Sequence, residues 1–209
     1  NYDVIIIGSG ISGLTCGAFL SMEGKKVLIL EKHFKIGGYT HTFKRQGFEW
    51  DVGIHYIGAV HNKKSFPRKV FDKISDNNLQ WHKMSDNYDR IIFPDKSYDL
   101  IAPKKKFIET IKSYFPDNAN EIDEYIKLVT EVSKSSLKYF SAKALSGLSE
   151  SVLRPFLTRK FLNFSNKTTY EALSEIISTN ELISVLTGQW GDYGMPPKES
   201  SFIMHCMIA

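Results

Sequence analysis

The chain has 209 residues, a formal net charge of +4 and a pI near 8.9, with 42% hydrophobic residues. So mild a charge, without basic residues interleaved with stacking aromatics, gives no support to nucleic-acid binding. Two cysteines without C-x-x-C or zinc spacing exclude a disulfide framework and favour a reducing compartment, and no apolar run reaches transmembrane length.

The first forty residues carry the strongest pattern. Val4-Ile5-Ile6-Ile7 is a β-branched run without polar alternation, the pattern of a parallel strand buried on both faces. Gly8-Ser9-Gly10-Ile11-Ser12-Gly13 follows as G-x-G-x-x-G. In this motif Gly8 makes the tight turn, Gly10 lets a pyrophosphate approach the backbone, and Gly13 lets the helix pack on the strand. The helix N-terminus offers free N–H groups and a positive dipole end to phosphates. Leu14, Ala18 and Leu20 to Met22 are its packing residues, Cys16 reads as a small core residue, and Gly24 suits a left-handed stop. Val27 to Leu30 is a second strand, and Glu31 at its end suits ribose hydroxyls while repelling a 2′-phosphate. The glycine pair Gly37-Gly38 comes soon after and suggests backbone lying against a ligand, which favours FAD over NAD as the dinucleotide.

Further along, Thr40 to Phe43 and Phe48 to Val52 read as short strands around Arg45-Gln46-Gly47. Residues 65–77 have a helical apolar spacing. Arg90 to Phe93 and Tyr98 to Ile101 read as a hairpin, and a helix is expected from Pro103 to about Phe115. Asn118 and Glu121 could cap the next helix, whose apolar face is Ile122, Tyr125, Ile126, Val129 and Val132. The remainder reads as helical, with a break at 163–167.

Gly37-Gly38-Tyr39-Thr40-His41-Thr42-Phe43 and Gly47-Phe48-Glu49-Trp50-Asp51-Val52-Gly53-Ile54-His55-Tyr56-Ile57-Gly58 resemble the retinol saturase branch of the phytoene desaturase-like flavoproteins. Gly191-Asp192-Tyr193-Gly194-Met195-Pro196-Pro197, with Ser200-Ser201-Phe202 and Met204-His205, fits the same branch. The resemblance is dense before residue 60 and after residue 188 and weaker between. It implies an α/β fold: a doubly wound, parallel-sheet, Rossmann-type FAD-binding domain with an inserted α+β substrate domain, truncated at the C-terminus. On that reading residues 1–84 are the N-terminal part of the FAD/NAD(P)-binding domain and residues 85–209 an incomplete substrate or cap domain. A family member is expected to be more than twice this length, with a second FAD contact in the remainder and the substrate between the domains.

The expected cofactor-binding set is Gly8, Gly10, Ile11, Ser12, Gly13, Glu31, Lys32, Gly37, Gly38, Gly53 and His55, with Gly53 and His55 in a loop near the flavin ring. No catalytic residue is assigned. No metal cluster and no Ser-His-Asp spacing stands out. His33 and His61 read as solvated, and His82 as structural or exposed. His41 has a weaker claim to the flavin than His55. His205 reads as a satisfied core histidine, with the resemblance raising its odds of facing a substrate channel. Tyr193 could line a polyene tunnel or donate a proton, and a buried turn with a bonded Asp192 explains the loop equally well. The segment Leu153 to Leu162 mixes cations with apolar residues and suits either a lipid interface or a helix packed on its own domain.

The resemblance implies an FAD-dependent oxidoreductase on carbon–carbon double bonds of a lipophilic retinoid or carotenoid, most like an all-trans-retinol 13,14-reductase. NAD(P)H is a candidate electron donor. A carotenoid desaturase or isomerase uses the same scaffold, an amine oxidase-like flavoenzyme is a further alternative, and an FAD-binding subunit with a structural role is a third. The expected partner is a lipophilic small molecule, with peripheral membrane contact on the cytoplasmic side and the oligomeric state open.

Overall fold

The computed structural model describes residues 1–143, 145 and 148–209. It divides into two compact units, Asn1–Lys83 and Met84–Ala209.

The first unit is built on a β–α–β core. Strands β1 (Val4–Ile7) and β2 (Val27–Leu30) pair in parallel, Val4 opposite Val27 through Ile7 opposite Leu30. Helix α1 (Ile11–Met22) makes the crossover. Its end is a Schellman motif: Gly24 N–H donates to Ser21 O at 3.0 Å, and Lys25 N–H to Leu20 O at 3.1 Å. Gly24 sits at φ +78°, as expected of the stop residue. Gly17, which sequence analysis did not single out, is buried where a Cβ would lie 3.0 Å from Ile29 Cδ1. Its missing side chain brings the helix down onto β2.

Two expectations are corrected in this unit. β1 is not buried on both faces: Ile5 and Ile7 are 59% and 89% exposed, because α1 covers only the face carrying Ile6. Cys16 is exposed, on the side of α1 away from the sheet contact at Gly17. Of the doubly wound sheet, the described residues contain one parallel pair.

A 3₁₀ turn at Gly38–Thr40 replaces the expected start of the next strand. The hairpin is β3 (Thr42–Arg45) and β4 (Phe48–Asp51), with Gln46 and Gly47 both at positive φ in its turn. Helix α2 (Phe66–Ile74) starts where Ser65 Oγ accepts from Arg68 N–H.

The second unit holds the apolar core. An antiparallel hairpin, β5 (Asn87–Ile92) and β6 (Ser97–Ile101), begins earlier than expected because pairing continues past a bulge between Asn87 and Asp89. Among the described residues six α-helices follow: α3 (Lys104–Tyr114), α4 (Ala119–Lys143), α5 (Leu148–Ser165), α6 (Thr169–Ser174), α7 (Asn180–Leu186) and α8 (Phe202–Ile208). The face of α4 read from the sequence is the core face. Ile122, Tyr125, Val129 and Val132 are buried, together with Ile111, Leu173, Leu182 and Phe202 from its neighbours. Asn118 and Glu121 do meet, Nδ2 to Oε2 at 2.8 Å. Glu121 also takes both the N–H and the hydroxyl of Ser178, so the pair ties the start of α4 to the segment before α7. The break after α5 is shorter than expected. A capping box at Thr168 and Glu171 starts α6 immediately.

Candidate dinucleotide cradle

Gly8 leaves β1 at φ +97°, a conformation that β-carbon sterics disfavour, and turns the chain toward α1. Gly10 is the N-cap of α1, at φ −64°. A Cβ built on Gly10 meets nothing within 4 Å, so the space above it is open. A Cβ on Gly13 would lie 2.2 Å from Gly8 O and 3.4 Å from Ile6 Cγ2. The two glycines therefore serve different needs. Gly13 closes the turn against the helix, and Gly10 leaves room for something outside the chain. Leu14 N–H is bonded to Gly10 O at 2.9 Å, as the first intrahelical bond. The N–H groups of Ile11, Ser12 and Gly13 precede it and have no intrahelical acceptor. The first turn carries no acidic residue, so its positive end is not neutralised from within.

Glu31 stands at the end of β2 and is held by the turn. Ser9 N–H and Ser9 Oγ both donate to Oε2, at 2.7 and 2.5 Å, and His33 N–H donates to Oε1 at 2.8 Å. The Ser9 hydroxyl, then the His33 and Ser9 amides, lower the carboxyl pKa to about 2. The carboxylate is thus fixed and ionised, with acceptor capacity remaining on Oε1. Sequence analysis gave Ser9 no role, yet it is the hub. It is 1% exposed, and Gly37 N–H donates to its carbonyl at 3.1 Å and its hydroxyl at 3.2 Å.

That bond explains the glycine pair. Gly37 (φ +114°) forms a parallel bridge with Gly10, and a Cβ on Gly38 (φ +56°) would sit 3.0 Å from Gly10 Cα. The pair lies against the phosphate-type turn of the chain itself. Lys32 follows Glu31 and is exposed. Gly8, Gly10, Ile11, Ser12, Gly13, Glu31, Lys32, Gly37 and Gly38 are thus gathered around one turn.

Gly53 and His55 lie further along, after β4. A Cβ on Gly53 would come within 2.8 Å of the Tyr39 ring, and Ile54 N–H donates to Tyr39 O at 3.2 Å. Gly53 therefore accommodates Tyr39, one residue beyond the glycine pair. His55 is exposed, with Nδ1 3.6 Å from Asp51 Oδ2. His41 Nδ1 lies 2.5 Å from Gly38 O. His33, His61 and His82 are exposed.

In the second unit His205 is 2% exposed, with Nε2 3.1 Å from Tyr125 Oη and Nδ1 3.5 Å from Tyr193 Oη. Burial lowers its pKa to about 4, so the imidazole is neutral at pH 7. Burial also raises both phenols, Tyr193 to about 12, so neither is a ready acid. The loop Trp190–Tyr193 is a 3₁₀ turn closed by Gly194 at φ +87°. Its tyrosine packs toward the core histidine.

Residues 6–73 match the NAD(P)-binding Rossmann-like domain family. The chain is 36% identical over 215 residues to the all-trans-retinol 13,14-reductase of Danio rerio, covering 99% of this chain and 35% of that protein. The chain thus spans about a third of the length of the curated relatives it matches. Over 62 residues, 30% of this chain and 10% of that protein, it is 50% identical to the chloroplastic prolycopene isomerase of Daucus carota. Among solved structures, putrescine oxidase superposes over 100% of this chain and 41% of its own, with a TM-score of 0.59 at 14% identity. That likeness speaks for the fold alone. The resemblance to the retinol saturase branch holds along nearly the whole chain, and the first unit has a Rossmann-like fold.

Proposed function

We propose that this chain is the dinucleotide-binding portion of an FAD-dependent oxidoreductase that acts on a carbon–carbon double bond of a lipophilic retinoid or carotenoid. The observation that carries the reading is the match to an all-trans-retinol 13,14-reductase along the full length of the chain. The cradle fits an ADP half on its own geometry, since Gly10 has open space where a Cβ would stand and Glu31 is held ionised beside it. Gly8, Gly10 and the amides of Ile11, Ser12 and Gly13 would receive the pyrophosphate, and Glu31 the ribose hydroxyls through Oε1. Lys32, Gly37 and Gly38 would flank the site, with Gly53 and His55 nearer the flavin end. When bound, FAD supplies hydride transfer to or from a carbon of the conjugated system. We take NAD(P)H as the electron donor for the reductive direction. The second unit would be the first part of an inserted substrate domain. The uncovered Ile5, Ile7 and Leu30 offer a surface for the rest of the dinucleotide domain.

The segment from Leu153 to Leu162 supports peripheral contact with a membrane. On α5, Val152, Leu153 and Phe156 are exposed, Phe156 by 81%, with Arg159 and Lys160 following. Leu137 and Phe140 of α4 are also exposed, and α4 packs on α5. No helix among the described residues is long and apolar enough to cross a membrane. Free Cys16 and Cys206 fit the reducing, cytoplasmic side.

The test is anaerobic flavin absorbance of the full-length protein. Reoxidation of the reduced form by all-trans-retinol, with a dihydro product, is expected. Reoxidation only by a carotenoid would move the substrate to the carotenoids, reduction of the oxidised form by a carotenoid would mark a desaturase, and a carotenoid isomerised with no net change in flavin absorbance would mark an isomerase, the activity named for the prolycopene isomerase relative. No response to any polyene, with reduction of the oxidised form by an amine, would overturn the reading.

A further inference from the structure

The second unit contains a cavity of about 480 Å³ that the dinucleotide cradle does not use. Its walls come from β5 and β6, the start of α3, α4 and the end of α7, with Gln189 and Ala209 completing them. Phe107, Ile126, Val129, Val185 and Leu186 make it apolar. The volume lies in the range of small-molecule sites, about 300–1,000 Å³.

The polar groups are grouped along the chain. On α4 the lining residues are Tyr125, Ile126 and Val129, then Thr130, Ser133 and Lys134. One helix face passes from apolar to polar and cationic in about two and a half turns, roughly 13.5 Å at 1.5 Å per residue. Lys104, at the first position of α3, reaches the polar stretch and donates from Nζ to Thr130 Oγ1 at 2.7 Å. Among the described residues, Lys104 and Lys134 supply the charged side chains of the lining, and no Asp or Glu side chain is among them.

We propose that this cavity binds a single-chain amphiphile with a carboxylate head, of the fatty-acid class. The tail would lie along the Ile126 and Val129 stretch and the carboxylate between Lys104 and Lys134, with the Ser133 hydroxyl as a further donor; the Thr130 hydroxyl donates to Ile126 O at 2.7 Å and serves instead to hold Lys104. Two ammonium groups with no lining acid favour an anionic head over an alcohol. The apolar remainder of the wall matches a hydrocarbon tail. The inference stands on the second unit alone and does not depend on the flavin reading.

The test is displacement of a fluorescent polyunsaturated fatty acid, cis-parinaric acid, from the full-length protein. Saturable 1:1 binding is expected, with oleate displacing the probe at least tenfold better than oleyl alcohol. The double variant Lys104→Met/Lys134→Met is expected to weaken oleate at least tenfold and leave oleyl alcohol within about twofold. Val129→Trp is expected to abolish both, with its circular dichroism compared to wild type. Absence of saturable binding would mean that the protein itself fills the cavity and would overturn the proposal. So would unchanged oleate affinity in the double methionine variant, which keeps the test decisive if Val129→Trp does not fold. Flavin content and retinol-dependent reoxidation, measured on the same preparations, report separately on the cradle.

Discussion

Ser9 and Glu31 form the joint of the first unit: one carboxylate oxygen takes both the amide and the hydroxyl of Ser9, at 2.7 and 2.5 Å. Through the same serine the turn is bonded to Gly37. One buried side chain thereby ties the ends of both parallel strands and the glycine pair together. The acid that would meet a ribose is positioned by the loop that would meet the phosphates.

The Glu31 carboxyl has its pKa depressed to about 2 in the folded chain, against 4.5 when free. A depressed carboxyl stabilises the fold above its free pKa, and the contribution disappears as pH falls from about 4.5 toward 2. Glu31→Gln is therefore expected to be less stable than wild type at pH 7 and close to it near pH 2.5, by urea unfolding. An equal difference at both pH values would show that the carboxylate charge is not what holds the joint.

Gly10 and Gly13 should separate ligand binding from folding. Gly10→Ala places its methyl in open space at an ordinary φ, so stability should change by less than about 1 kcal/mol. Flavin content of the full-length protein should nonetheless fall sharply. Gly13→Ala drives a methyl to 2.2 Å from a backbone carbonyl and should cost about 3 kcal/mol by thermal or urea unfolding. Retained flavin in Gly10→Ala would displace the phosphates from this turn.

His205 should make the second unit acid-sensitive. Its folded pKa is about 4, below the free value of 6.5; the titratable residues facing it are Tyr125 and Tyr193, with Cys206 adjacent, and the Phe202 ring is stacked on it. The unfolded chain takes up the proton first, so stability falls as pH drops from 6.5 toward 4. The loss is up to about 3 kcal/mol. His205→Phe is expected to be less stable at pH 7, by about 1–3 kcal/mol from the lost partner of Tyr125. Its stability should also fall less steeply between pH 6.5 and 4.5. Parallel pH profiles would rule out His205 as the titrating group.

The capping box before α6 is a local device. Thr168 Oγ1 accepts from Glu171 N–H at 3.1 Å, and Glu171 Oε2 accepts from Thr168 N–H at 2.8 Å. Thr168→Ala should cost about 1 kcal/mol, and Thr168→Ser should restore most of it, by urea unfolding.

The sequence by itself determined the elements whose rules are local. Gly8 and Gly24 mark left-handed turns because a β-carbon is disfavoured there, and the apolar spacing of α4 names its buried face correctly. Glu31 could be placed at the strand end from spacing alone. Tertiary structure decided what depends on who stands opposite. Cys16 is exposed and Gly17 buried because the sheet meets α1 one residue further on. Ile5 and Ile7 are apolar yet exposed, because burial of a strand face depends on the layer laid over it, which no single strand encodes. Gly37 and Gly38 are required by Ser9 and Gly10, 28 residues back along the chain, and Gly53 by Tyr39. His205 finds its tyrosine 80 residues away. Contacts of that range arise only when the chain closes on itself, so residue spacing carries no trace of them.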